Sequence, residues 1–469
     1  MMRIPQDALI SQINSLFNPR SIAIVGLPRG LKAGKLFLLA LLDQGYPGKI
    51  YPVNPGAEEI DGLKSYPSVS SIPDPVDLAI ILTPHKITLP VIRECAEKGV
   101  KGIVLFTAGY KETGTNEGND REQEIVRIAQ SAGMRIIGPN GMGLYSPKTK
   151  ISFFPQLSKE PGTVGIISHS GSLTNILGYV APKKGICFSK VVSLGNECDL
   201  NSADFLEYLG KDTDTRVIGA YLEGIKEGSR FFNALRNASF EKPVVIWKVG
   251  LTPEGSQAAV SHTGALTGAV DIWEGIAKQG GAVPVAGIED WVDTLMAFSL
   301  LPRDPGNRVA IISGPGGLAV SAAEACGRES LKLAELLPET REILAKFVPD
   351  TGTSLKNPVD VGLTASLDMD IYIEAARTVA ADPDVDIITM IGVGFSDETN
   401  KQYTDAIIQA RKEFNKPFMI VNVPGMNSEF ADTFCNAGIP FFESAERAMK
   451  SYAKLIRYHC WLQRMKKPS

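Results

Sequence analysis

The sequence predicts an α/β protein built from three tandem, doubly wound parallel sheets. Short apolar runs rich in β-branched residues recur along the chain, and each closes on Gly, Pro, Thr or Asn. Stretches of helix length alternate with them, which is the βαβ signature of a parallel sheet. The alternation also restarts twice, after breaks containing proline and charge. A chain of 469 residues accommodates about three domains.

The first domain is expected over residues 1–155. Ser21-Ile22-Ala23-Ile24-Val25-Gly26 is its first strand, β-branched and apolar on both faces and therefore fully buried. A helix over 35–42 follows. Strands are expected at 49–55, 78–84, 102–107 and 135–140, with helices over 87–98 and 119–133 between them. The second domain, 156–303, begins with the Pro/Lys linker 155–161 and opens on a strand at 162–168. Further strands are expected at 190–193, 217–222 and 243–248. Helices are expected over 172–183, 202–209, 228–238 and 269–280, and 291–300 closes the domain. A break at 301–307 introduces the third domain, 304–469, with strands at 308–313, 386–391, 418–421 and 439–441.

Composition narrows the function classes. The net charge of −4 lacks the basic excess of a nucleic-acid binder. No apolar run reaches the ~18 residues of a membrane span, and the N-terminus carries no signal-peptide core. The expectation is a cytoplasmic protein that contacts neither nucleic acid nor membrane. The six cysteines form no CxxC pair and no cluster with zinc spacing, so reduced thiols and no metal site are expected.

Ligands bind at the carboxyl ends of parallel strands, and the informative residues all fall there. Gly26-Leu27-Pro28-Arg29-Gly30-Leu31-Lys32-Ala33-Gly34-Lys35 follows the first strand, with glycines for close approach and Arg29, Lys32 and Lys35 for charge. A nucleotide-like ligand is expected there, although the run is neither a GxGxxG nor a P-loop. The strand ends at Asn54 and at Thr83-Pro84 border the same crevice. In the second domain, Ser168-His169-Ser170-Gly171-Ser172 opens a helix whose free amides favour an anion. His169 is expected to be packed or solvent-facing. Glu223, at a strand end before Gly224, can orient an imidazole. Gly314-Pro315-Gly316-Gly317 repeats the strand-to-glycine design in the third domain.

His262 is one of only four histidines and sits in Ser261-His262-Thr263-Gly264-Ala265-Leu266-Thr267-Gly268. So little bulk around it predicts an exposed, movable loop, and imidazole is a nucleophile able to carry a phosphoryl group.

These pieces occur in an order that resembles the alpha subunit of NDP-forming acyl-CoA synthetases, relatives of succinyl-CoA synthetase. The stretches carrying the resemblance are Tyr51-Pro52-Val53-Asn54-Pro55, Ala108-Gly109-Tyr110-Lys111-Glu112, Ile137-Gly138-Pro139-Asn140-Gly141, Ser168-His169-Ser170-Gly171, Ser193-Leu194-Gly195-Asn196, Tyr221-Leu222-Glu223-Gly224, Ser261 to Leu266 and Asn357-Pro358-Val359-Asp360. The resemblance implies a Rossmann-like CoA-binding domain followed by two flavodoxin-like domains. It implies the reaction acyl-CoA + NDP + phosphate ⇌ acid + CoA + NTP, running through an acyl phosphate and a phosphohistidine. His262 matches the phosphorylated histidine and Glu223 the glutamate that holds it. Ser170 and Gly171, with Ser172, match the helix start that binds phosphate, and Asn175 lies where relatives contact the acyl substrate. Coenzyme A falls to the crevice of Gly26, Arg29, Lys32, Asn54, Thr83 and Pro84. Mg²⁺ with ADP or ATP falls to an ATP-grasp beta subunit, in an expected α2β2 assembly. Where many relatives have Gln or Arg, this chain has His169. The competing expectation is a non-enzymatic CoA- or acyl-CoA-binding regulator of the same fold. A third reading, a nicotinamide oxidoreductase, wants an acidic residue near Asn54 and lacks it.

Overall fold

The computed structural model of the chain describes residues 5–263, 268–304, 306–362, 365, 367–392, 394, 396–425 and 429–466, with backbone alone for 260–263. Three mainly parallel sheets follow one another along it, as expected. The first has the strand order Lys49–Val53, Ser21–Val25, Leu78–Ile81, Gly102–Leu105, Arg135–Ile137. Its first two strands in sequence are adjacent, and the third lies on the other side of the first. That reversal puts a topological switch point between Ser21–Val25 and Leu78–Ile81. Ile22, Ala23, Ile24 and Val25 are at most 4% exposed, because helices cover both faces of a parallel sheet.

The second sheet has the order Ala282–Val285, Val244–Lys248, Val217–Leu222, Val164–Ser168, Phe188–Ser193, Gly143–Tyr145. Its parallel part repeats the reversal, between Val164–Ser168 and Val217–Leu222. The sixth strand is antiparallel and pairs Tyr145 with Val191 and Gly143 with Ser193. Residues 143–145 therefore belong to the second sheet, whereas a boundary at 155 assigns them to the first domain. The sequence shows no cue for this, since the run is short and its alternation is cut by Gly143.

The chain groups into two compact units, residues 1–180 with 187–286, and residues 181–186 with 287–469. The first two sheets lie in one unit. The Ile288–Leu300 helix, expected to close the second domain, groups with the later unit. Its buried Asp293 accepts two bonds from Arg447 (one at 3.1 Å), and Asp290 pairs with Lys454 at 2.5 Å. Those charge pairs, with the packing of Trp291 and Leu295, anchor it to the terminal Ala445–Lys466 helix. The third sheet runs Lys332–Leu333, Arg308–Ser313, Ile387–Ile391, Phe418–Val421, Phe441–Phe442. Among the described residues no helix is long and apolar enough to cross a membrane. The six cysteines are free, and Cys95, Cys326 and Cys435 are buried.

Candidate functional site

At the first switch point, Gly26 adopts φ +81°, and a Cβ there would lie 2.9 Å from Thr83 Cγ2. Only glycine takes this turn without strain, so Gly26 and Thr83 form a bare floor between two strand ends. Asn54 is spent on the loop itself. Its Nδ2 donates to the Leu27 carbonyl at 2.8 Å, and its Oδ1 accepts the Gly56 amide at 2.9 Å. Thr83 is buried, with its hydroxyl 3.0 Å from that of Thr88. Pro84 is exposed at the start of the His85–Lys98 helix. Arg29 and Lys32 are exposed cations on the loop. Lys35 differs from expectation. It is 5% exposed, ion-paired to Asp61 at 2.7 Å and turned toward the carbonyls of Pro28 and Arg29. It therefore braces the glycine loop and offers it no free charge.

The second switch point holds Ser170, Gly171, Ser172 and Glu223. Ser168 is paired with Tyr221 in the sheet, so Ser170 and Glu223, each two residues further on, emerge from neighbouring strand ends. Ser170 precedes the Gly171–Val180 helix, and its Oγ accepts the Leu173 amide at 3.3 Å. Ser168 Oγ donates to the Ser170 carbonyl at 2.9 Å and accepts its amide at 3.1 Å, holding the turn. The first amides of a helix have no intrahelical acceptor, which leaves those of Gly171 and Ser172 able to donate to an anion. A Cβ at Gly171 would lie 2.5 Å from Met142 Cγ, so the helix start sits hard against the 138–143 turn. Asn175 Oδ1 is buried and has no hydrogen-bond partner among the described residues.

Glu223 is 4% exposed. Tyr221 hydrogen-bonds with it, and its phenol is pushed up to about 12 by burial and by the Glu223 charge. The Glu223 amide donates to His169 Nδ1 at 3.1 Å, and its carbonyl accepts from Lys248 Nζ at 2.9 Å. His169 Nε2 lies 2.9 Å from Glu197 Oε1. So His169 is packed, and it also joins two carboxylate-bearing loops. Burial pushes the Glu197 carboxyl up, but His169, Lys226 and the Ser202 amide outweigh it and hold the group below its ordinary value. Burial drives the Lys248 ammonium down to about 8, against the pull of Glu223.

The His262 backbone lies in the last turn of the Pro253–Thr263 helix, where a loop was expected. The reason is local. Pro253 starts the helix, the Thr252 hydroxyl accepts the Gly255 amide at 3.1 Å, and Gln257-Ala258-Ala259 propagate it. The His262 side chain, and with it the expected Glu223–His262 contact, lies outside the described residues, as does Gly264. The helix packs against the Lys111–Thr113 turn of the first half. That turn is itself built from two of the motif stretches. Glu112 accepts the amides of Gly109 and Tyr110, and Asn196 Nδ2 donates both to Glu112 and, at 3.0 Å, to Glu122. Among the described residues no group of three or more potential metal ligands gathers.

Ser170, Gly171 and Glu223, expected from the strands they follow, lie at neighbouring strand ends. Glu197 and Lys248 were not expected there: Lys248 reads as the polar end of an ordinary strand, and Glu197 meets His169 from a loop in which its φ is +53°.

Known proteins resemble this chain over nearly its whole length. Residues 161–298 match the model of the succinyl-CoA ligase like flavodoxin domain, and residues 20–147 match that of a CoA binding domain. The chain is 40% identical to the alpha subunit of acetate–CoA ligase [ADP-forming] II from Pyrococcus furiosus, across 95% of this chain and 97% of that one. It is 37% identical to the isoform I alpha subunit of the same organism, across 96% and 98%. The solved dinucleotide-forming acetyl-coenzyme A synthetase 1 of Ca. Korarchaeum cryptofilum, in complex with phosphate and ADP, superimposes with a TM-score of 0.87. It is 34% identical, and the match covers 97% of this chain and 99% of that one. With a CoA binding domain followed by a succinyl-CoA ligase like flavodoxin domain, and relatives matched over nearly their whole length, the chain belongs to the family of ADP-forming acyl-CoA synthetase alpha subunits.

Proposed function

We propose that this chain performs the acyl half of the family reaction through a phosphohistidine at His262, and that an ATP-grasp beta subunit, in an α2β2 assembly, holds Mg²⁺ and the nucleotide. The observation that carries the reading is the register of Ser168 with Tyr221, which sets the helix start at Ser170 and the buried Glu223 at neighbouring strand ends. Coenzyme A fits the first switch point. The Gly26–Thr83 floor admits a backbone-hugging pyrophosphate, and Arg29 and Lys32 supply charge at its rim. Gly26, Asn54, Thr83 and Pro84 would then shape the site, and Arg29 and Lys32 would meet its phosphates.

The chemistry runs in two steps on this chain. An oxygen of phosphate, held by the amides of Gly171 and Ser172 beside Ser170, attacks the thioester carbon. The C–S bond breaks, the thiolate of CoA takes the phosphate proton, and an acyl phosphate remains. An imidazole nitrogen of His262 then attacks phosphorus, and the carboxylate leaves with the P–O bond pair. Glu223 accepts the hydrogen bond of the other ring nitrogen, which keeps the attacking nitrogen basic and stabilises the developing imidazolium. The helix start disperses the anionic charge with fixed dipoles. Asn175 offers its side-chain oxygen, buried and without a partner among the described residues, to the acyl group. The domain division at 155 and 303 and a cytoplasmic location are part of the same proposal.

Incubating the protein with acetyl-CoA and radiolabelled phosphate is expected to place an acid-labile label on His262. Label persisting in His262→Ala refutes the assignment. Glu223→Gln is expected to slow labelling about 100-fold while the protein stays folded.

A further inference from the structure

Two buried side chains near Glu223 are not used by the chemistry above. His169 Nδ1 accepts the Glu223 amide at 3.1 Å. That nitrogen therefore carries no proton, and the proton sits on Nε2, which donates to Glu197 Oε1 at 2.9 Å. On the other side Lys248 Nζ donates to the Glu223 carbonyl at 2.9 Å and also to the Val249 carbonyl. His169, Glu197, Glu223 and Lys248 are 6%, 3%, 4% and 7% exposed.

Their position in the sheet explains what the contacts do. The Val217–Leu222 strand has Val164–Ser168 on one side and Val244–Lys248 on the other. Backbone pairing with the neighbours reaches Tyr221, whose carbonyl accepts the His169 amide, and Leu222, whose carbonyl accepts the Val249 amide. Glu223 lies one residue beyond. There the His169 ring nitrogen stands in for a neighbour's carbonyl, and the Lys248 ammonium stands in for a neighbour's amide. The two peptide groups flanking Glu223 are each held, which fixes both its φ and its ψ and so the direction of its Cα–Cβ bond.

The imidazole is itself secured. Glu197 Oε1 also accepts the Ser202 amide at 2.7 Å, and Lys226 Nζ donates to the Glu197 carbonyl at 2.5 Å. With Nε2 engaged by Glu197, Nδ1 is left to accept the Glu223 amide.

We propose that His169 and Lys248 are positioning residues for the phosphohistidine step, extending the sheet by one side-chain rung so that Glu223 meets the reacting imidazole in one fixed orientation. This rests on the role assigned to Glu223 above. A misplacement of the order of 1 Å at such a group costs about 100-fold in rate.

The test uses the full chain with its beta subunit and measures single-turnover labelling of His262 from acetyl-CoA and radiolabelled phosphate. His169→Leu, which removes the acceptor, is expected to slow labelling about 10–100-fold with CoA affinity unchanged. His169→Asn, which keeps an acceptor oxygen near the Nδ1 position, is expected to stay within about threefold of wild type. Lys248→Met, which keeps the stem and removes the donor, is expected to slow labelling about tenfold. It serves as the second arm if His169→Leu does not fold. In the Glu223→Gln background, either substitution is expected to add less than about threefold, because residues acting through one group are non-additive. Multiplicative losses in that background, or no rescue by His169→Asn, overturn the positioning role and leave a general structural one. A Glu223→Gln protein that labels at the wild-type rate overturns the assignment of Glu223 instead, which keeps the two failures distinct.

Discussion

Asp199 offers the sharpest test of how the site loop is held. Its carboxylate accepts Arg135 Nε at 2.9 Å, Arg135 Nη2 at 3.1 Å and the Ile136 amide at 2.9 Å. The side chains are 4% and 11% exposed, so the pair is effectively out of water. In Asp199→Ala the Arg135 guanidinium keeps one contact, to Gln12 Oε1 at 3.1 Å, and loses its counter-charge. Removing one partner of a buried pair costs about 3–5 kcal/mol, and at about 2 °C per kcal/mol for a large domain the first transition should fall by about 6–10 °C. The fold should survive. Asn196, Cys198 and Leu200 also donate their amides to the carbonyls of Pro139, Gly138 and Ile136, and these bonds do not involve the carboxylate. Differential scanning calorimetry of the variant measures the shift. Arg135→Met/Asp199→Leu, which removes both charges, should recover most of the loss. A single-variant shift below about 2 °C, or a double variant as unstable as the single, refutes the reasoning that burial sets the cost.

Three further outcomes follow from the same geometry. Gly26→Ala forces a Cβ into the left-handed region at 2.9 Å from Thr83 Cγ2, so CoA affinity measured by calorimetric titration should drop about tenfold; unchanged affinity in a folded variant removes CoA from that crevice. Thr252→Ala deletes the hydroxyl that accepts the Gly255 amide, at about 1 kcal/mol. Amide exchange over residues 255–263 should quicken about fivefold, and unchanged protection dismisses the cap. Burial lowers the Lys248 ammonium to about 8 from its ordinary 10.5. Between those values the unfolded chain binds more protons than the native one, so this group's contribution to stability rises with pH. The wild type should accordingly gain on Lys248→Met between pH 8 and 10 in paired denaturation curves, and a flat difference contradicts that burial.

The strands around the site were legible because a parallel sheet buried on both faces writes itself as β-branched runs, as at Ser21–Val25 and Val164–Ser168. The place of Glu223, just past the end of such a run, was legible for the same reason. At His262 the sequence points to a loop and the backbone is helical, since Gly264 and Gly268 draw attention away from the helix formers Gln257, Ala258 and Ala259. Lys35 shows a different limit. Its charge suits a phosphate, but its partner Asp61 comes from a two-strand hairpin, Glu59–Ile60 with Leu63–Lys64, too short to leave a periodic signal. The His169–Glu197 contact spans 28 residues and depends on one backbone conformation at Glu197, which no pattern of residue types encodes.

The antiparallel strand Gly143–Tyr145 has a consequence for how this architecture can be cut and rejoined. It follows the last strand of the first sheet in sequence, yet it completes the edge of the second. A gene break in the proline-containing linker near 155–161 would therefore strip the second sheet of its edge, exposing the hydrogen-bonding row of Phe188–Ser193. Any natural or engineered reordering of these modules has to carry residues 143–145 along with the histidine-bearing half. The seam for recombination lies upstream of the linker that the sequence advertises.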